Sequence, residues 1–402
     1  MNRLFTFLLV VPVIFLSGCA KSLSNGELNF AESDSNTLSK VDYSNEIVSM
    51  LSSLPLNNEV CLEVATVVNN SVNYGLDEDF LFRELWSPKT KVSSVQNSLL
   101  KQQIESYLNA NIETKSGTGS IENILKNSDI SIYWPYCDDW DGKTLPTITC
   151  PPKDETQEWN YGYQLNENNG SVELEVVIVN EEYAMENPVW IIKDTDYDYT
   201  DLPSFINGEF SSNGVIYIPE QSDSNNSIQT KASGDVMYGW IMSSMTVSKQ
   251  YDKIFWSGGS EFRIAASFPT ETGYAGSTNT FNTTFTRKQI RNSTTKNFNT
   301  DMTSDNVLNY DWKEGQYSNG FAIWEVNGKK ATTDYTLGCT ATVGSDSAKV
   351  ECSAIVKITP KDELVTNREY TRSYMFSSTG RAPQKYDDGN VVCTYMITDY
   401  TD

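Results

Sequence analysis

The chain has 402 residues, 53 acidic against 30 basic side chains, a formal charge of −23 and no histidine. The acidic balance (sequence pI about 4.4) argues against nucleic acid and anionic headgroups as partners, because both need a basic surface. The missing histidine excludes Ser-His-Asp triads, Cys-His pairs and histidine-ligated metals, so an enzyme here would rely on carboxylates, Lys, Tyr, Ser or an oxygen-ligated metal. Length predicts two or three domains.

The N-terminus opens with Met1-Asn2-Arg3, continues as an apolar run from Leu4 to Leu16, and closes on Leu16-Ser17-Gly18-Cys19. One positive charge, a short apolar stretch and small residues ending at cysteine resemble a bacterial lipoprotein signal. The resemblance implies cleavage after residue 18, acylation of Cys19 (palmitate among the acyl chains) and a membrane anchor. Thirteen apolar residues fall short of the roughly 20 that span a bilayer. Ala20 in place of aspartate after the modified cysteine implies the outer membrane, with the body periplasmic or on the surface. Residues 19–41 then read as a Ser- and Asn-rich tether reaching about 25 Å as a flexible coil.

Residues 42–114 read as a helical bundle. Val60, Val64, Val67, Val68 and Val72 recur at helical spacing, as do Phe80, Leu81 and Leu85, then Leu99, Leu100, Ile104 and Leu108. Asn57-Asn58 supplies a cap, and Gly75 and Ser87-Pro88 supply breaks. Cys61 falls among the core positions of the first helix. Lys115-Ser116-Gly117-Thr118-Gly119-Ser120 reads as a linker.

A β-rich middle domain is expected over 120–255, with strands at 130–134, 172–180, 189–192, 214–218 and 235–249. Residues 256–402 read as a β-sandwich with strands near 260–268, 280–288, 317–326, 333–343, 349–358, 369–377 and 391–399. Asn327-Gly328 and Asp388-Gly389 are hairpin signals. The fold class is thus α+β and multidomain: a helical bundle, then mainly antiparallel β domains. The Asn- and Tyr-rich strands and Asn187-Pro188-Val189-Trp190 resemble envelope lipoproteins of Gram-negative bacteria, those of Bacteroidota among them. That resemblance implies a location and no activity.

Six cysteines follow Cys19, an even number that suggests disulfides in an exported protein. Cys339 and Cys352 flank a predicted hairpin and would face each other across it; Cys137 and Cys150 have the same separation and close a similar loop. The alternative for each pair is buried thiols. Asp194, Asp196, Asp198 and Asp201 space carboxylates along one face of an extended chain, which suits Ca²⁺. The EF-type glycine is absent, since Tyr199 stands there, and Phe205 stands where a glutamate is needed. Trp134, Tyr136, Trp140 and Trp159 lie near Asp138, Asp139 and Asp141, and aromatic faces beside acidic groups suit sugar stacking. The alternative is an aromatic core.

Ser293-Thr294-Thr295-Lys296 and Ser304-Asp305-Asn306 match the S-x-x-K and S-D-N of penicillin-recognising enzymes. Their spacing is too short and the triplet Lys115-Ser116-Gly117 lies upstream, so that assignment fails. By exclusion the expectation is a non-enzymatic binding module for a glycan, a peptide or a partner protein. A carboxylate-pair hydrolase of polysaccharide or peptidoglycan and a structural assembly subunit of the envelope are the alternatives.

Overall fold

The computed structural model describes residues 35–73, 77–86, 98–110, 118–154, 156–168, 171–195, 236–270, 273–327, 332–343, 348–377 and 384–401. The chain divides into two units, Met1–Lys40 and Val41–Asp402. Of the first, only the opening turns of helix α1 (Ser35–Ser52) belong to the described residues. Cys19 and the apolar run before it lie outside them.

The second unit begins with the rest of α1 and continues with α2 (Asn58–Asn73), α3 (Leu99–Ala110) and α4 (Thr118–Asn127). Helix α2 starts where its sequence predicts, because Asn57 Oδ1 accepts the backbone N–H of Val60 at 3.0 Å. Val60, Val64 and Val68 of its valine stripe and Cys61 are buried, with Val67 and Val72 half-buried, and Leu100, Ile104 and Leu108 on α3 are buried too. Two sequence expectations fail here. Phe80, Leu81 and Leu85 do not continue a helix: Asp79–Leu81 forms strand β1 and Phe82–Trp86 a 3-10 turn. The expected linker, in its second half, is the first turn of α4.

These helices do not make a bundle of their own. Ile47 and Leu51 of α1, Val64 of α2, Ile104 of α3 and Leu125 of α4 share one core with Ile132, Trp134, Ile148, Trp190 and Ile192 from strands. Those strands form a six-stranded sheet in the order β1-β2-β6-β3-β4-β5. Its members after β1 are β2 (Ile130–Tyr133), β3 (Thr147–Thr149), β4 (Asn160–Asn168), β5 (Ser171–Val179) and β6 (Val189–Asp194). The β3–β6 pair is parallel and the others are antiparallel. A helix stripe needs an apolar surface to cover, and this sheet supplies it. Each fully buried aliphatic side chain in that layer contributes about 1.5–3 kcal/mol.

The remainder is β and sandwich-like. Strand β7 (Val236–Val247) pairs along its length with β17 (Val391–Thr401), in a sheet that runs β10 (Thr295–Asn297), β7, β17 and β16 (Gln384–Asp387), with β11 (Val307–Asn309) also on β7. A second sheet runs β14-β13-β12-β8-β9, with β15 also on β12. It contains β8 (Ser260–Pro269), β9 (Gly276–Phe285), β12 (Gln316–Glu325), β13 (Thr333–Val343), β14 (Ala348–Ile358) and β15 (Glu363–Thr371). Trp240, Met242, Tyr395 and Ile397 of the β7–β17 sheet meet Phe262, Ile264, Phe321 and Ile323 of the β8–β12 sheet in one core. At the predicted Asp388-Gly389 turn Gly389 has φ +89°, a value that favours glycine. The strand expected at 369–377 ends early: β15 (Glu363–Thr371) gives way to a helix at Arg372–Ser377, where Thr371 Oγ1 accepts the N–H of Tyr374.

Candidate functional site

The helices cover only part of the first sheet. Ile148 on β3 is buried beneath them and lies opposite Tyr163 on β4, so the two share a face. Farther out the same face is bare. Tyr161 pairs with Ile178 and Tyr163 with Val176. Those four residues, with Trp159 and Leu174, are 40–59% exposed. Trp159 and Tyr161 meet edge to face, with ring centroids 5.5 Å apart. On the reverse face Val177 and Val179 pack with Tyr133, Ile191, Phe255 and Trp256. The outer strand β5 is therefore apolar on both sides from Val176 to Val179 and covered on one. Contiguous exposed apolar residues of this kind mark interaction surfaces.

The other aromatic candidates are structural. Trp134 is buried between Trp140 and Trp190, at 5.3 and 5.7 Å. Tyr136 is buried, and its hydroxyl donates to Glu181 Oε1 at 2.9 Å. Trp140 leans on the helix-side core and donates Nε1–H to the Thr144 carbonyl. Of the four aromatics only Trp159 faces solvent on the bare sheet. Residue type alone does not tell these apart; their places in the fold do.

Asp138 and Asp139 do not await a ligand, since Lys288 donates to both at 2.8 and 2.6 Å. They belong to a charged seam between the first sheet and the sandwich. Within it Arg287 grips Glu181 through Nε and Nη2, and donates Nη1 to the carbonyls of Asp252, Ile254 and Gly258. Lys193 lies 3.8 Å from Asp77 and donates to the Ser257 carbonyl. Burial opposes the charge of Glu181, yet its bonds to Arg287 hold the carboxyl below its ordinary range. Burial, with the charges of Asp77 and Asp138, pushes Glu78 well above that range. Gly258 sits at φ +106°, and a Cβ there would meet Asp77 Oδ2 at 2.1 Å. This seam joins layers, and among the described residues it presents no open site.

Asp194 closes β6 in register with Ile130, while Asp196, Asp198 and Asp201 lie outside the described residues. The acidic group that the fold does assemble is different. One carboxylate oxygen each from Asp252, Glu261 and Glu325 lies within 4.8 Å of the others. At an effective dielectric near 20, two full charges at that separation repel by about 3 kcal/mol. Burial, then the facing Asp252 carboxyl, holds Glu325 well above the ordinary carboxylate range. Nothing in the spacing of residues 252, 261 and 325 announces this convergence.

The six body cysteines are buried thiols. Cys137 and Cys150 are not joined: Cys137 donates to the Ala65 carbonyl on α2 and Cys150 to Asn45 Oδ1 on α1. The two thiols serve different helix contacts, which is why equal spacing misleads. Cys339 and Cys352 stand directly opposite in the β13–β14 register, with sulfurs 3.1 Å apart. In the S-x-x-K stretch, Lys296 bonds the Thr284 carbonyl and lies over the Phe285 ring at 5.0 Å. Burial lowers its ammonium to about 8. It lies in a three-residue strand (Thr295–Asn297), not beside a nucleophile-bearing helix. No protein-family model matches this chain, and no curated protein matches it.

Proposed function

We propose that the chain is a lipid-anchored envelope protein that acts as a non-enzymatic binding module, and that the bare face of β4–β5 is its contact surface. The carrying observation is the row of exposed apolar side chains, five on the outermost hairpin of the first sheet and Trp159 just before it. Three of them, Leu174, Val176 and Ile178, are aliphatic and offer nothing to a sugar hydroxyl, which favours a protein or peptide partner over a glycan. Strand β5 is also the last strand of its sheet, so its outer backbone edge suits the addition of an extended segment. The anchor rests on the Leu16-Ser17-Gly18-Cys19 signal, and no described helix is long and apolar enough to cross a membrane. In an oxidising compartment the Cys339–Cys352 pair closes as a disulfide.

A photo-crosslinking residue at Val176 tests this reading in intact cells, with Ile355 on β14 as the matched exposed control. A discrete adduct at Val176 and none at Ile355 is expected. Equal yields at both positions, or none at either, would remove the contact surface. Loss of membrane fractionation in Cys19→Ser tests the anchor separately.

A further inference from the structure

The Asp252–Glu261–Glu325 group joins three segments remote in sequence: the loop after β7, the start of β8 and the end of β12. Glu325 is 1% exposed. Its Oε2 accepts from the side-chain amide of Asn327, whereas Oε1 is buried and meets no N–H or hydroxyl donor among the described residues. The neighbouring polar group is instead another carboxyl, that of Asp252. A buried oxygen so placed is satisfied by a positive charge.

We propose that Asp252, Glu261 and Glu325 bind a hard divalent cation, with Ca²⁺ the best match. The donors are all oxygen, and histidine is absent from the chain, so softer transition metals gain nothing here. Carboxylates that bind through one or both oxygens meet the irregular six- to eight-fold shell of Ca²⁺ more readily than the strict octahedron of Mg²⁺. The backbone around two of the ligands is fixed without the ion. Val326 N–H donates to the Glu261 carbonyl at 2.8 Å, and Arg287 donates to the Asp252 carbonyl at 3.0 Å. The cation therefore fastens the loop after β7 to the sandwich, at a place distinct from the bare β4–β5 face.

The test uses the full chain stripped with chelator and titrated calorimetrically with CaCl₂, MgCl₂ or MnCl₂ alone, with the melting temperature followed in parallel. The expected result is one saturable site and a rise in melting temperature. Both are weakened at least tenfold in Glu325→Gln and in Asp252→Asn, while Asp198→Asn binds as the parent does. Glutamine keeps the shape of the carboxyl, and Asp252→Asn serves if Glu325→Gln does not fold. No binding of any of the three ions would mean that the carboxyls only share a proton, and would overturn the site. Binding that survives both variants, or that is lost in Asp198→Asn alone, would place the ion elsewhere and overturn it equally.

Discussion

The hairpins β4–β5 and β13–β14 occupy the same position, the last two strands of a six-stranded sheet, and treat solvent in opposite ways. On β13–β14 the alternation is the ordinary one. Leu337, Cys339, Ala341, Cys352, Ala354 and Val356 point inward, while Asp334, Thr336, Glu351, Ser353 and Lys357 face water, with Lys357 paired to Asp334. Ile355 is the exception on that outer side. On β4–β5 the apolar side chains Val177 and Val179 are covered on one face, and the row from Tyr161 to Ile178 on the other is exposed. Folding explains β13–β14 apart from Ile355 and leaves half of β4–β5 unaccounted for. The difference separates side chains that hold the fold from side chains available to a partner.

The largest expected effect lies on the inward side of β13. Leu337 is fully buried against Ala265, Ala322, Trp324 and Val356, so Leu337→Ala should cost about 3–4 kcal/mol in urea unfolding. A value below about 1 kcal/mol would mean that this hairpin is not anchored by its core side. Next comes the cross-strand cysteine pair. Equilibration with oxidised glutathione should link Cys339 to Cys352 by thiol–disulfide exchange, detected as a joined peptide. The closed form should be about 3 kcal/mol more stable than the reduced one. Recovery of both as free thiols would end that assignment.

Smaller effects test the bare hairpin. Val176→Ser and Ile178→Ser should each change stability by no more than about 0.5 kcal/mol, yet the double variant should abolish the adduct formed from a crosslinker at Tyr161. A destabilisation above about 2 kcal/mol would show that the face is covered by the protein itself. Ile355→Thr, the matched change on the other hairpin, should alter neither property.

Much of β13–β14 was legible in the sequence. The reading of 333–343 and 349–358 as strands matches β13 and β14 to within a residue, because one buried face imposes a clear period of two. The Cys339–Cys352 opposition follows from that register. Shorter signals misled: Phe80, Leu81 and Leu85 fit a helix turn as well as a strand running into a 3-10 turn, and only the pairing of β1 with β2 decides. The helical stripes gave the helices and not their cover, since periodicity shows which face is buried and not what buries it. For the same reason Trp134 and Trp159 looked equivalent, although one is core and the other exposed. The acidic triad was invisible, because its members meet only after β8 and β12 pair.

The most direct test of the contact surface is a cysteine footprint in isolated envelopes. Val176→Cys and Ile355→Cys would be labelled with a maleimide in the envelope and again after purification in detergent. Val176→Cys should be protected in the envelope and reactive once purified, with Ile355→Cys reactive in both states. Equal reactivity of Val176→Cys in both states would mean that the bare face meets no partner, and would contradict its assignment as the contact surface.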